Sequence, residues 1–348
     1  MIKYIHIGYP KTLTSSLQSN FFPKHSQVLH LGLGCDSPLD YIDDAVNIAL
    51  ENYIMYAKDF PYIEYEEEIK STFNKWFEYA ERKGYKAVGI SLESLSFNYY
   101  PNQNDTVVIA KRLQRIFGQD TRIIALIRNQ LDLIKSLYGQ YVREGLPLDY
   151  KGFIDYIYMN KERNFLYDFL YDKMFFLYAD LFGIENVHFI PLEAVRDFKT
   201  KKLFQNNEKI ILLETISNIL NIDYERLDIG HANASLSKKE LFQKLQLNRE
   251  IRHELGNLIF EHASIHRNRK YFEQDPLIKI TDLFFDVKKK RLLLEEAKKL
   301  SVHDPREMNY FADPEILKRL SKKFIHSNKT LTQDFEVKLP NIYFQPGM

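Results

Sequence analysis

The sequence predicts an α/β fold: a doubly wound central parallel sheet flanked by helices, followed by a helical C-terminal extension. Three observations predict it. Strand-type and helix-type patterns alternate from residue 2 to about residue 220, in the order β-α-β-α-β-α-β-α-β-α. The run Ile123-Ile124-Ala125-Leu126-Ile127 is apolar throughout, as expected of a central parallel strand covered on both faces. Beyond about residue 236 only helical patterns and loops occur. The resulting division is an α/β domain over residues 1–262 and a helical or irregular extension over 263–348 that packs on it.

Each element has its own signal. Residues 2–7 alternate in β fashion and end at Gly8. The polar stretch 9–16 then leads into a helix marked by Leu17 and Phe21 at i, i+4, and Ser15 with Gln18 fits a capping box. Residues 28–31 form a second strand, closed by Gly32 and Gly34. Residues from about 38 to 83 read as helical. The clearest part follows Pro61, where Ile69, Phe73, Trp76, Phe77 and Ala80 make one apolar face. Glu66 to Glu68 near its start, Arg82 and Lys83 near its end, and Gly84 as the stop suit the helix dipole and C-cap. Residues 87–91 form a strand, 107–117 a helix and 122–127 a strand; Asn129 caps the next helix, with Ile134, Leu137, Tyr138 and Tyr141 on its inner face. An aromatic-rich helix over 165–182 stops at Gly183, a strand follows at 187–190, and a helix at 209–220. Residues 237–246 and 248–260 read as two further helices.

Composition narrows the function classes. The 348 residues include 48 Lys and Arg against 47 Asp and Glu, a net charge of +1. That balance argues against a nucleic-acid partner held by a basic field. With 13 Gly and 12 Pro the chain is neither collagen-like nor low-complexity, and 25 Phe with 23 Tyr supply a large core. One cysteine, Cys35, excludes a disulfide framework and a multi-cysteine metal site, and fits a reducing compartment. No signal peptide opens the sequence and no run of 18 apolar residues occurs. The expectation is a cytoplasmic protein with no transmembrane segment.

The chemistry gathers after the first strand. A strand feeding a polar loop and a helix N-terminus presents free N–H groups to an anion. Here the loop adds Lys11 and the hydroxyls of Thr12, Thr14, Ser15 and Ser16, the donor set that a phosphate or sulfate requires. A hydroxyl-rich helix cap is the other reading of this segment. It is not a Walker A loop, because two residues rather than four separate Gly8 from the remainder, and Pro10 precedes the Lys. That weighs against a nucleotide kinase. The stretch Tyr9-Pro10-Lys11-Thr12-Leu13-Thr14-Ser15-Ser16-Leu17-Gln18 resembles the 5′-phosphosulfate loop of the sulfotransferases, usually Pro-Lys-Thr-Gly-Thr-Thr/Ser followed by Leu-Gln or Trp-Leu. Those enzymes take 3′-phosphoadenosine 5′-phosphosulfate (PAPS) as co-substrate and release the 3′,5′-bisphosphate (PAP), on a sheet like that of P-loop NTPases. Leu13 departs from the pattern, standing where the family has a Gly that permits φ > 0.

A second stretch extends the resemblance. Arg128-Asn129-Gln130, five residues, then Ser136-Leu137-Tyr138 is similar to the family's 3′-phosphate element, Arg-Asn/Asp/Glu-Pro, five residues, Ser-x-Tyr, with Gln130 for the Pro. Arg128 leaves the carboxyl end of a buried strand, where α/β sheets place ligands, and its planar fork suits a phosphate. A strand-end ion pair and an exposed helix Ser are the alternative readings of Arg128 and Ser136. Leu192-Glu193-Ala194-Val195 sits where the family has a Tyr-Glu-Asp-Leu-like segment, and 211–222 resembles the helix that follows, so the likeness spans about residues 1–225. Lys238 and Lys239, or Arg249, are candidates to close over the co-substrate, or members of a solvated helix.

The resemblance implies transfer of a sulfuryl group to an acceptor hydroxyl or amine, with Lys11 and the loop stabilising the leaving phosphate. An acceptor losing a proton calls for a general base. Glu93 is the first candidate, because it follows the third strand at the sheet edge; one branch of the family has a catalytic His at the corresponding strand end and others use Glu. His30, at the end of the second strand, is the alternative. No metal is expected: His253-Glu254 lacks the second His of a zinc helix, and His262 with His266 reads as two surface histidines. The cluster Lys288-Lys289-Lys290-Arg291 reads as part of a charged helix, with an anionic membrane or glycan as the other option. The Ser-Leu-Gln form of the loop is closest to the bacterial and glycan-modifying branches, which implies a carbohydrate acceptor. The competing class is a catalytically degenerate nucleotide- or glycan-binding protein on the same fold.

Overall fold

The computed structural model describes residues 1–32, 42–98, 103–197, 200, 202–230, 236–255, 295 and 307–346. Cys35, Gly34, the boundary between 262 and 263, His262, His266 and the Lys288 to Arg291 cluster lie outside the described residues.

Five strands form one parallel sheet in the order β2-β3-β1-β4-β5: β1 Ile2–His6, β2 Val28–His30, β3 Ala87–Ser91, β4 Arg122–Ile127 and β5 Val187–Pro191. Helices cover both faces, the doubly wound α/β arrangement expected from the alternating pattern. The faces separate with the two-residue period of a strand. Ile123, Ala125 and Ile127 enter a core with the helices α3 (Asp59–Lys83), α4 (Thr106–Phe117), α5 (Gln130–Arg143) and α7 (Tyr171–Phe182). Ile124 and Leu126 enter the other core, with α1 (Thr14–Asn20) and α9 (Ile211–Leu220). The connection leaving β1 runs to one side of the sheet and that leaving β4 to the other. The carboxyl ends of these neighbours therefore flank the point where ligands bind in open α/β sheets.

Several elements differ from their sequence patterns. No capping box starts α1: its cap residue is Leu13, in left-handed conformation, and no side chain caps it. Gln18 is buried and donates to the Ser91 carbonyl at 2.9 Å. The helical stretch before residue 83 is broken. A short α2 (Asp44–Asn47) runs into a π-helical segment at Ile48–Tyr56, and α3 starts afresh at Asp59. Arg112 of α4, buried, donates to the carbonyls of Tyr53, Ile54 and Ala57 at 2.7–3.1 Å and pairs with Asp59 at 2.8 Å. It satisfies the helix end from outside, so no Gly or Pro is needed there. The helix predicted over 165–182 starts only at Tyr171, because Phe165, Leu166 and Phe169 pack into the core as turns. Residues 205–206 and 209–210 (β6 and β7) form a hairpin before α9, turned by Asn207 and Glu208 at positive φ. Helix α6 (Tyr150–Met159) is additional, and residues 238–255 form one continuous helix, α10 (Lys238–Leu255). Helix α8 is the single turn Leu192–Val195 after β5.

Beyond residue 262 the described residues include one long helix and a short final turn, Asn341–Phe344. Helix α11 (Pro314–Asp334) lies against α7, and Leu320, Phe324, Leu331 and Tyr343 join the main core.

Candidate functional site

Three predicted elements meet at the carboxyl edge of β3, β1 and β4, which are neighbours. The chain leaving β1 stays beside β4 through Ile7 N to Ile124 O (2.9 Å) and Tyr9 N to Leu126 O (3.2 Å), then turns sharply. Both the Thr12 and Thr14 hydroxyls donate back to the Tyr9 carbonyl, at 2.5 and 3.0 Å. Lys11 and Leu13 each take positive φ, 63° and 69°. The loop is thus a tight turn around Tyr9, whose own hydroxyl donates to the Asp168 carbonyl at 2.7 Å. The Ser16 hydroxyl faces the Gly230 carbonyl at 3.4 Å, and Ser15 is half-buried beside it. With no side-chain cap on α1, its first-turn N–H groups have no intrahelical acceptor.

Glu93 opens the turn Glu93–Leu95 directly after β3. The segment before it is pinned to β1 and α1. His6 Nδ1 meets the Ser91 hydroxyl at 2.6 Å, Leu92 N donates to His6 O at 3.0 Å, and Gln18 holds the Ser91 carbonyl. His6 is fully buried with no partner on Nε2, and burial, helped by nearby His30, lowers its pKa to about 3. His30 ends the outer strand β2, bonds the Tyr4 hydroxyl at 2.9 Å and stacks on Phe22.

Arg128 ends β4. Its carbonyl accepts from the Tyr171 hydroxyl at 2.6 Å. Asn129 caps α5, its side chain accepting from Asp132 N at 3.3 Å, while its own N–H donates to Glu193 Oε1 at 2.9 Å. Ser136 lies half-buried on α5, within two turns of its start. Arg196 follows α8, and burial, with the neighbouring charge of Arg128, lowers its pKa. Burial raises the Glu193 carboxyl, against the opposing pulls of Tyr343, Asn129 and Arg128. Arg249 is committed to the Pro147 carbonyl and Asp149.

Four participants escape sequence reasoning. Arg196 lies one residue beyond the matched segment 192–195, and Tyr171 is one of many aromatic residues in its stretch. Tyr343, 150 residues from its partner Glu193, has no local signal at all. Asp168, half-buried beside Tyr9 and with its carboxyl raised to about 7 by desolvation, accepts from Asn98 N and the Thr106 hydroxyl at 3.0 and 3.1 Å. Among the described residues no group of three or more His, Cys, Asp or Glu stands ready to hold a metal, and no helix is long and apolar enough to cross a membrane.

No family model matches this chain, and no curated protein matches it. Among solved structures it is similar to the crystal structure of a sulfotransferase from Alicyclobacillus acidocaldarius, with 17% identity and a TM-score of 0.41 over 80% of this chain and 98% of that one.

Proposed function

We propose that this protein transfers a sulfuryl group from PAPS to a hydroxyl or amine of an acceptor, with a carbohydrate hydroxyl as the first choice of acceptor. One observation carries the reading. The loop of Lys11, Thr12, Leu13, Thr14, Ser15 and Ser16 and the residue Arg128, more than a hundred residues apart, stand at the carboxyl ends of adjacent strands on either side of the topological switch point. Their donors fit a ligand carrying two separate phosphate-type groups. Lys11 and the loop amides suit the 5′-phosphosulfate, and Arg128 with Ser136 suits the 3′-phosphate, Arg196 adding positive charge nearby.

PAPS supplies the transferable SO3 group. The acceptor oxygen forms a bond to sulfur as the bond from sulfur to the phosphate oxygen breaks, and PAP leaves with the electron pair. Lys11 offsets the charge growing on that oxygen. Glu93 accepts the acceptor's proton from the strand next to β1. No metal enters this scheme, and neither nucleic acid nor a membrane is required as a partner.

Calorimetric binding of PAP tests the reading, with ADP and ATP–magnesium as controls. The wild type should prefer PAP. Lys11→Ala and Arg128→Lys should each weaken it about tenfold to a hundredfold, the range for one charge-assisted contact of about 1.5–3 kcal/mol. Preference for ATP–magnesium sinks the proposal. PAP binding without transfer to any of a panel of glycans, phenols and amines favours the binding-protein reading.

A further inference from the structure

The C-terminal extension reaches the end of β4 and takes hold of it residue by residue. From α11, Asn328 is fully buried and exchanges two hydrogen bonds with the Gln130 side chain, Gln130 Nε2 to Asn328 Oδ1 at 2.7 Å and Asn328 Nδ2 to Gln130 Oε1 at 3.1 Å. The same Nδ2 donates to the Tyr343 carbonyl at 2.9 Å, which fixes the last turn, Asn341–Phe344, beside α11. From that turn the Ile342 carbonyl accepts from Asn129 Nδ2 at 3.0 Å. The Tyr343 hydroxyl donates to Glu193 Oε2 at 2.6 Å, and the other oxygen of Glu193 accepts the Asn129 N–H. Helix α11 is itself anchored to α7 by the Ser327 hydroxyl on Asp172 Oδ1 at 2.5 Å, one residue from the Tyr171 that binds the Arg128 carbonyl.

A carboxylate bridging two donors is a rigid link, because each oxygen holds one of them and partial burial strengthens both bonds. Glu193 is that link. On one side it holds the main chain of residue 129, on the other a tyrosine 1% exposed. The Arg128–Asn129 peptide is thereby fixed from the C-terminal turn as well as from α7. A guanidinium binds a phosphate bidentately only when its own backbone is fixed, since misplacement of about 1 Å loses the geometry.

We infer that Tyr343, acting through Glu193, is a positioning residue for Arg128, and that the C-terminal turn is a working part of the nucleotide site. What Arg128 holds rests on the function proposed above; that Tyr343 holds the Arg128–Asn129 main chain does not.

The test uses the full chain and two readouts. Tyr343→Phe keeps the ring and removes the hydroxyl. Amide hydrogen exchange in a peptide covering residues 127–133 should quicken about tenfold, the size of one net buried hydrogen bond to a charged group, while peptides covering β1 and β3 stay as in the wild type. PAP affinity should fall about tenfold, while that for adenosine 5′-phosphosulfate, which lacks the 3′-phosphate, should change less than twofold. Glu193→Gln, which can still accept from Asn129 N–H and donate to the Tyr343 oxygen, should behave nearly as the wild type; Glu193→Ala should match or exceed Tyr343→Phe. Unchanged exchange at 127–133 overturns the inference. So does faster exchange with unaltered PAP affinity, and so does an equal loss of both nucleotides with exchange raised throughout. A wild type that binds neither nucleotide refutes the function proposed above, and the exchange result alone then decides whether Tyr343 holds this peptide.

Discussion

Lys11 and Leu13 stand on either side of Thr12 with left-handed backbone, at φ 63° and 69°. A residue with a Cβ loses about 1–2 kcal/mol in that conformation, so the turn stores strain that its surroundings must hold. The hydroxyls of Thr12 and Thr14, both on the Tyr9 carbonyl, hold it. Leu13→Gly should change stability by less than about 1 kcal/mol, since relief of strain offsets the lost contacts of a partly buried side chain and the freer unfolded chain. Leu13→Val should cost about 1–2 kcal/mol, because a β-branched residue fits that region worse. Urea denaturation of the two variants checks this. Equal losses would mean that packing, not backbone conformation, sets the cost.

Asp168 and His6 give stability opposite dependences on pH. Burial raises Asp168 from 3.8 to about 7, so its contribution is complete below the unfolded value and is lost as pH rises through 7, at most about 4 kcal/mol. Burial, with a smaller push from His30, lowers His6 from 6.5 to about 3, so its contribution is complete above 6.5 and is lost as pH falls towards 3. Between about pH 4 and 6.5 the slopes oppose, and the wild type should vary little there. Asp168→Asn should remove one slope and leave the other: stability flat above pH 6.5 and falling on acidification. Denaturation midpoints at pH 5, 6, 7 and 8 measure it. A variant that stays flat to pH 5 would show that His6 is not held neutral.

The two glycines Gly89 and Gly139 have opposite expectations. A Cβ on Gly89, inside β3, would lie 2.0 Å from the Tyr4 carbonyl and 2.7 Å from its ring, and neither can move without breaking the β1 ladder. Gly89→Ala should cost about 3 kcal/mol. A Cβ on Gly139, in α5, meets nothing closer than Leu241 at 3.9 Å, ordinary contact. Gly139→Ala should stabilise by about 0.5–1 kcal/mol through helix propensity. Thermal melts of both variants decide, and a shift of the same sign in both refutes the contrast.

Residues whose partners are near in sequence, or whose face repeats, were legible from the chain alone. The apolar run at Ile123 to Ile127 announces a central strand, and Asn129 announces its own cap, confirmed by its bond to Asp132 N. Gly84 marks the end of α3 at φ 78°. Illegible were the features made by one buried side chain from far away. The break at Ala57 is satisfied by Arg112, 55 residues on, and the Glu193 link by Tyr343, 150 residues on. The Ser15 and Gln18 pattern misled because Gln18 is drawn inward to the Ser91 carbonyl of β3, a stronger claim on a buried amide than an exposed cap.

Glu93 and His30 divide as candidates for the proton acceptor by the strands that carry them. Glu93 follows β3, which pairs with β1 from Ile2 to His6, and so lies beside the strand that delivers Lys11. His30 ends β2, one strand further out; its Nδ1 is engaged by the Tyr4 hydroxyl and its ring by Phe22. Removing a general base costs about 10²–10⁴ in rate and leaves ground-state binding nearly intact. Glu93→Gln should therefore lower sulfuryl transfer at least about a hundredfold with PAP affinity changed less than about threefold. His30→Gln should keep transfer within about threefold, its loss being a bond to Tyr4 beneath the sheet edge. Single-turnover rates with PAPS, alongside PAP titrations, separate the two. If His30→Gln is the variant that stops transfer, the proton passes on the β2 side, and the acceptor must approach across the outer strand rather than over β3 and β1.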